Sequence, residues 1–263
     1  MISEIASRLL EARRKATPLH DFPGPVPTDL ETAYAIQDEV RRQSGRALVG
    51  WKVAMIQPRL RQQLGGERLA GPLFADTLWT AAPGKPVEVA VFEGGEAALE
   101  AEFVIRLGRD LSAADGPFTP ESVADAVASL HGGAEIAASP IAPIISLGSA
   151  AMIADLAFNG GAVVGPEIPD WRSQRLDELA TRMTIDGEVV GEGDAANVPG
   201  GPLGALAFLA AHLTGRGETL RKGQVVLTGA TTGMHAITPG RRGLVEFHGA
   251  GAIEVSVGAV EPA

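Results

Sequence analysis

The sequence predicts an α+β protein in which an N-terminal helical segment precedes a mixed or rolled β core. Three observations predict it. Short apolar runs of strand character recur from residue 47 onward, whereas few stretches carry a helical period. The regular strand–helix alternation of a doubly wound sheet is missing. The 33 glycines in 263 residues suit a chain with many turns. Two parts are expected: residues 1–70 as a helical and α+β segment, and residues 71–263 as the β core.

The opening segment MISEIASRLLEARRK places Ile2, Ile5, Leu9 and Leu10 at helical spacing, with basic residues near its end, where they suit the helix dipole. The loop TPLHDFPGPVP, with four prolines, separates it from a second helix in TDLETAYAIQDEVRRQ. There Thr28 and Glu31 match a capping box, and Leu30, Ala33, Tyr34, Ile36 and Val40 form an apolar face. ALVGWKVAMI reads as a strand buried on both faces except for Lys52, and residues 87–107 as two strands around EGGEA. Thr119 as N-cap and Pro120 at the first helical position start a helix in TPESVADAVASL. Short strands are expected near 133–138 and 160–165, and a hairpin with an Asp186-Gly187 turn in MTIDGEVVGEG. GPLGALAFLAAHLTGRG reads as a helix, and GQVVLTGA and AIEVSVGAV as later strands.

Composition narrows the function classes. With 45% hydrophobic residues and a positive mean hydropathy, the chain can bury a sizeable core. A formal net charge of −10 argues against a nucleic-acid or anionic-membrane partner. There are no cysteines, which removes disulfides, thiolate catalysis and cysteine-ligated metals together. No apolar run approaches the roughly 18 residues of a membrane span, and the N-terminus lacks a signal-type segment. The expectation is a soluble, cytoplasmic protein.

The chemistry-bearing residues stand out against this background. In EAALEAEFVIRLGRDL, strand alternation puts Glu100, Glu102, Val104 and Arg106 on one face and Ala101, Phe103, Ile105 and Leu107 on the other. Two like charges on one face of a strand repel unless a cation lies between them. Spacing alone allows two readings: a solvated edge strand with Arg106 as counter-charge, or a pair of oxygen ligands for Mg²⁺ or Mn²⁺. Lys52 interrupts an apolar strand; either it snorkels to water, or burial lowers its pKa toward proton transfer. Asp76, in GPLFADTLW, reads as a turn cap or as an acid of the site. Glu135 is a lone acid in HGGAEIAAS, facing water or supplying a third carboxylate, and Asp155 reads as structural. TGATTG at 228–233 offers hydroxyls and N–H groups at a strand end, and is equally an ordinary turn. The five histidines lack paired ligand spacing, and no dinucleotide fingerprint, Walker loop or nucleophile elbow occurs.

Taken in order, TAYAIQ, GWKV, LFAD, EAEFVIRLGRDL, AEIAAS, ADLAFNGGAVVG and GGPLGALAFLAAHL…GETLRKGQVVLTGATTG resemble the 2-keto-4-pentenoate hydratases and 4-oxalocrotonate decarboxylases of the fumarylacetoacetate hydrolase superfamily, over about residues 30–258. The resemblance implies a mixed β-sandwich roll, the fumarylacetoacetate hydrolase C-terminal-like core, and a divalent ion, usually Mg²⁺ with Mn²⁺ as the alternative. It implies Glu100, Glu102 and Glu135 as metal ligands and Lys52 and Asp76 as the catalytic acid–base pair. It implies Thr228, Gly229, Thr231 and Thr232 as substrate-binding residues. The implied activity is hydration of a 2-hydroxyalka-2,4-dienoate in meta-cleavage catabolism of aromatics. Decarboxylation of a 4-oxalocrotonate-type acid, hydrolysis of an acylpyruvate, and non-catalytic binding of a 2-oxo acid are the alternatives. A homo-oligomer is implied, with association to a paralogous decarboxylase or an aldolase as a further partnership.

Two stretches depart from that pattern. After Lys52 the chain reads AMIQPRLRQQLGG where relatives carry a Thr/Ser-Ser-Lys-type stretch, so Arg59 or Arg61 is the expected replacement cation. After Glu135 it reads Ala138-Ser139-Pro140 in place of an Asp-Ser-Arg-like triplet, and AFNGGA replaces a more polar segment.

Overall fold

A computed structural model describes residues 1–263. Two helices come first, α1 (Ile2–Arg14) and α2 (Leu30–Ser44). Strand β1 (Leu48–Met55), helix α3 (Pro58–Leu64) and strands β2 (Arg68–Phe74), β3 (Leu78–Thr80), β4 (Val87–Val91) and β5 (Glu96–Leu107) follow. After α4 (Pro120–Ala124) come β6 (Val127–Ser139), α5 (Ile144–Leu147), α6 (Ser149–Ala154) and β7 (Asn159–Glu167). The hairpin β8 (Ala180–Ile185) and β9 (Glu188–Asp194), helix α7 (Gly201–Gly215), and strands β10 (Val225–Ala236), β11 (Arg242–Phe247) and β12 (Gly251–Ala259) complete the chain.

The strands form two mixed sheets, one of seven in the order β2-β1-β10-β5-β6-β7-β3 and one of five in the order β4-β12-β11-β8-β9. Between the sheets and α7 lies the main core, where Trp51, Phe103, Leu206 and Phe247 meet. The helices α1 and α2 bury a separate apolar face, including Ile5, Leu9, Ile36 and Val40, against Phe158 and its neighbours. On the other face of the large sheet, Leu73, Val104, Ala162, Val164, Val225 and Leu227 form a small apolar cluster. That face holds the charged residues.

The expected mixed β-sandwich roll with an N-terminal helical segment is what the chain forms. Three local expectations change. The boundary at residue 70 falls inside β2, and β1 lies between β2 and β10, so both strands belong to the large sheet. The helix at Pro120 stops after five residues, because the apolar run from Val127 pairs along β5 instead of continuing the helical period. The second helix is capped by Asp29, whose carboxylate accepts the Thr32 N–H at 2.7 Å, one residue beyond the Thr28 expected from the sequence. The Asp186-Gly187 turn does close the β8–β9 hairpin, with φ of 48° and 85°.

Candidate metal centre and active site

The antiparallel pairing of β5 with β6 builds the site. Its register sets Glu100 directly opposite Glu135 and Glu102 opposite Gly133. Alternation then turns all three carboxylates to the same face. A Cβ at Gly133 would lie 2.3 Å from a Val104 methyl, so glycine lets this densely packed pair close. From the flanking side, β1 runs parallel to β10 and presents Lys52 opposite Leu227, on that same face. Lys52 is 2% exposed and Glu102 and Glu135 are fully buried.

The four carboxylate oxygens of Glu102 and Glu135 differ in their partners. The Lys52 Nζ lies 3.1 Å from Glu135 Oε1, which also accepts a 2.9 Å hydrogen bond from Asn159 Nδ2. Glu102 Oε2 accepts the Gly229 N–H at 2.8 Å. That donor is aimed by an irregularity in β10, where the register shifts on either side of Ala230 and Gly229 adopts φ +115°. The remaining oxygens, Glu102 Oε1 and Glu135 Oε2, are buried without any hydrogen-bond partner. A buried carboxylate oxygen left unpartnered is costly, so these two oxygens suit a cation as their partner. One oxygen from each of Glu100, Glu102 and Glu135 lies within 4.8 Å of the others. Opposite oxygens of an octahedral Mg²⁺ shell stand about 4.2 Å apart, so a slight contraction completes such a site. The residues fit a divalent oxygen-ligated ion.

The electrostatics agree. Burial and the opposing Glu135 carboxylate push Glu100 up to about 7, with Lys52 pulling the other way. Burial also raises Glu102 well above the ordinary carboxylate value, and the neighbouring carboxylates add to it. Burial alone would push the Lys52 ammonium toward neutrality, but Glu135, Glu100 and Glu102 outweigh it and hold its pKa above the ordinary value. The sequence-based idea of a lysine lowered by burial is therefore corrected: three carboxylates keep it charged. A cation among them would cancel much of that field.

Asn159 reaches the site on an unusual turn. Leu156, Ala157 and Phe158 all have positive φ, near 57–64°, which swings the chain from α6 into β7. The turn is clamped by Asp155, whose carboxylate receives both Arg13 Nε and Nη2 at 2.8 Å and the Ser139 hydroxyl at 2.6 Å. Arg13 also donates to the carbonyls of Ala138 and Asn159. An acid and an arginine are thus supplied beside Ala138-Ser139-Pro140 by Asp155 and by α1, and Asp155 is structural as expected.

The structure does not bring together every residue expected in the site. Asp76 follows the end of β2, five residues past Gly71, the β1 partner of Lys52, on the order of 15 Å away by strand rise. Its side chain is 62% exposed and forks onto Arg46, and it lines a different cavity from Lys52. The acid–base pairing of Lys52 with Asp76 is corrected on that geometry: the LFAD acid anchors the start of β1. Thr228 and Gly229 line the cavity beside Lys52 and Glu100. Thr231 is buried toward the other sheet, its hydroxyl 2.7 Å from that of Thr181, and the Thr232 carbonyl meets His235. Neither borders the cavity. Arg106 bonds the Gly223 carbonyl and leaves the glutamates to other partners.

The cavity measures about 220 Å³, enough for a small acid, and half of its lining residues are hydrophobic. Arg59 and Arg61 are not among those residues: Arg59 bonds Gln57 and Arg61 the Ile56 carbonyl. Besides Lys52, the cation that lines it is Arg68, missed in the sequence although it opens the otherwise apolar β2. Asn159 was also missed as a residue of the site, since an asparagine in a glycine-rich stretch carries no spacing signal.

Comparison with known proteins matches this picture. The fumarylacetoacetate hydrolase C-terminal family model matches residues 74–258. A 2-keto-4-pentenoate hydratase of Burkholderia vietnamiensis is 32% identical over 97% of each chain. A 4-oxalocrotonate decarboxylase of Pseudomonas sp. is 30% identical, also over 97% of each. Among solved structures, the 4-oxalocrotonate decarboxylase of Pseudomonas putida G7, complexed with magnesium and adipate, superposes with a TM-score of 0.80 at 23% identity, covering 97% of both chains. The chain belongs to the fumarylacetoacetate hydrolase family, in its group of 2-keto-4-pentenoate hydratases and 4-oxalocrotonate decarboxylases.

Proposed function

We propose that the protein is a Mg²⁺-dependent hydratase that adds water to a 2-hydroxyalka-2,4-dienoate, giving a 4-hydroxy-2-oxo acid, in meta-cleavage catabolism of aromatics. The observation that carries this reading is the triad of buried carboxylates with two unpartnered oxygens, set beside a buried lysine at the floor of a small cavity. Glu100, Glu102 and Glu135 would hold the divalent ion, with Mn²⁺ as a substitute, and bound there it would supply a Lewis acid for the oxygen at carbon 2 of the substrate.

The chain's own groups do the rest. Lys52 Nζ lines the cavity and lies 3.1 Å from Glu135 Oε1, where it can give a proton to the substrate. Asn159 and Lys52 fix Glu135 through one oxygen and leave the other free, as Gly229 does for Glu102. The apolar walls keep bulk water from the reacting carbons, so that one water molecule adds across the conjugated double bond. Asp76 has no part in this account.

The test is incubation with Mg²⁺ and 2-hydroxypenta-2,4-dienoate while the dienol absorbance is followed. Loss of absorbance with no CO₂ released supports the hydratase. Release of CO₂ from 4-oxalocrotonate supports the second reading, a decarboxylase, which the 30% identical relative motivates. Binding without turnover indicates a protein that has kept the site and lost the reaction. Resemblance to the family supports a cytoplasmic homo-oligomer, and gel filtration with light scattering tests the oligomer.

A further inference from the structure

Asn159 faces the glutamates only because the pairing of β6 with β7 is irregular. Glu135 pairs with Ala162, so strict alternation back along β7 would turn Asn159 away from the face that Glu135 occupies. The register shifts between Ile136 and Ala137, and Asn159 comes to lie opposite Ala137, which shares the face of Glu135. The Asn159 amide thereby reaches Glu135 Oε1 at 2.9 Å. Three consecutive residues with positive φ, Leu156, Ala157 and Phe158, lead into this shift. Such a run of non-glycine residues persists only where its surroundings hold it.

Arg13, on α1, brackets the run. Its Nε and Nη2 fork onto the Asp155 carboxylate at 2.8 Å, just before the run, and Nη1 donates to the Asn159 carbonyl at 3.2 Å, just after it. Nη2 also donates to the Ala138 carbonyl at 3.2 Å, on the opposing strand. One guanidinium, 11% exposed, thus ties both strands at the register shift and neutralises a fully buried aspartate. We propose that Arg13 is a positioning residue of the metal centre. From the N-terminal helix it holds the turn that presents Asn159 to Glu135, and so sets the affinity for the divalent ion. The inference rests on Glu100, Glu102 and Glu135 holding that ion.

Mg²⁺ affinity is measured by titration calorimetry in the wild type, Arg13→Met, Arg13→Lys and Asn159→Leu, with each arginine variant also made in the Asn159→Leu background. Leu9→Ala is the control, because it loosens the same helix through packing alone. Arg13→Met should weaken binding about tenfold or more. Arg13→Lys keeps a charge for Asp155 but lacks the fork; it should fold even if Arg13→Met does not, and lose at least about threefold. In the Asn159→Leu background either substitution should cost less than about twofold, since its effect passes through Asn159. Leu9→Ala should bind Mg²⁺ within about twofold of wild type although its melting temperature falls. Unchanged affinity in both arginine variants, a full further loss in the Asn159→Leu background, or an equal loss in Leu9→Ala overturns the proposal. The second readout needs no metal: the Asn159 side-chain amide resonances of ¹⁵N-labelled protein in EDTA, assigned by their loss in Asn159→Leu. They should move in the arginine variants and stay in place in Leu9→Ala. A wild type that binds no Mg²⁺ refutes the metal reading instead, and amide resonances unmoved by the arginine variants separately overturn the placing of Asn159 by Arg13.

Discussion

Lys52→Met replaces the one cation among three buried carboxylates with an apolar side chain of similar length. In the metal-free wild type, the folded-state pKa of Glu100 is raised from 4.5 to about 7, by burial first and then by Glu135. A carboxyl raised in this way favours folding below its unfolded pKa, and that contribution is lost as pH rises through about 7. Lys52 opposes the shift, since its charge lowers the pKa of both Glu100 and Glu102. At about pH 5 a proton neutralises Glu100, and the substitution should cost less than at high pH. At about pH 8.5 Glu100 must ionise without that partner, and removing one member of a buried pair costs about 3–5 kcal/mol. For a chain of this length, at about 2–4 °C per kcal/mol, that is a fall in melting temperature of roughly 10 °C. Differential scanning calorimetry at both pH values, with EDTA and then with excess Mg²⁺, measures it. Mg²⁺ should restore most of the loss, because the ion supplies the positive charge that the lysine gave. Equal destabilisation at both pH values, unchanged by Mg²⁺, would refute the electrostatic account and make Lys52 a packing residue.

The other predictions concern the same residues. Mg²⁺ affinity in calorimetry should fall as pH drops below about 7, approaching tenfold per unit, because protons compete for Glu100; a flat profile between about pH 5 and 7.5 counts against it. Asn159→Leu removes a donor to Glu135 Oε1 and should weaken Mg²⁺ binding about 10–100-fold with the fold retained by circular dichroism. Asp76→Asn breaks an exposed fork with Arg46, so stability should change by less than about 1 kcal/mol. Its turnover should stay within about twofold of wild type, and a large loss of kcat would return Asp76 to the site.

How much of this was legible in the sequence depended on whether a residue's role was set by local pattern or by distant pairing. Glu100 and Glu102 declare themselves because strand alternation puts them on one face of an apolar run, and Lys52 because it interrupts another. Glu135 joins them only through the β5–β6 register, which alternation within one strand does not fix. The role of Asn159 follows from a turn of three left-handed residues, Leu156–Phe158, that no glycine or asparagine signals. Arg68 looks like an ordinary charged residue at the start of β2, and only the approach of Pro199 and Phe208 reveals its burial. Asp76 misled in the opposite direction: its motif lies next to a strand of the site, but the rest of β2 and the turn after it carry Asp76 to the far end. The helix expected from Pro120 was overridden by long-range strand pairing, which outweighs local propensity once β5 is in place.

The account stands on Glu100, Glu102 and Glu135 holding one divalent cation. Anomalous diffraction at the manganese edge from a crystal soaked in Mn²⁺ tests this most directly. It should show a single strong peak at coordinating distance from Glu102 Oε1 and Glu135 Oε2, bordered by Glu100, and lost in Glu102→Gln. Manganese bound only at exposed acids, with no peak among the three buried carboxylates, would contradict it.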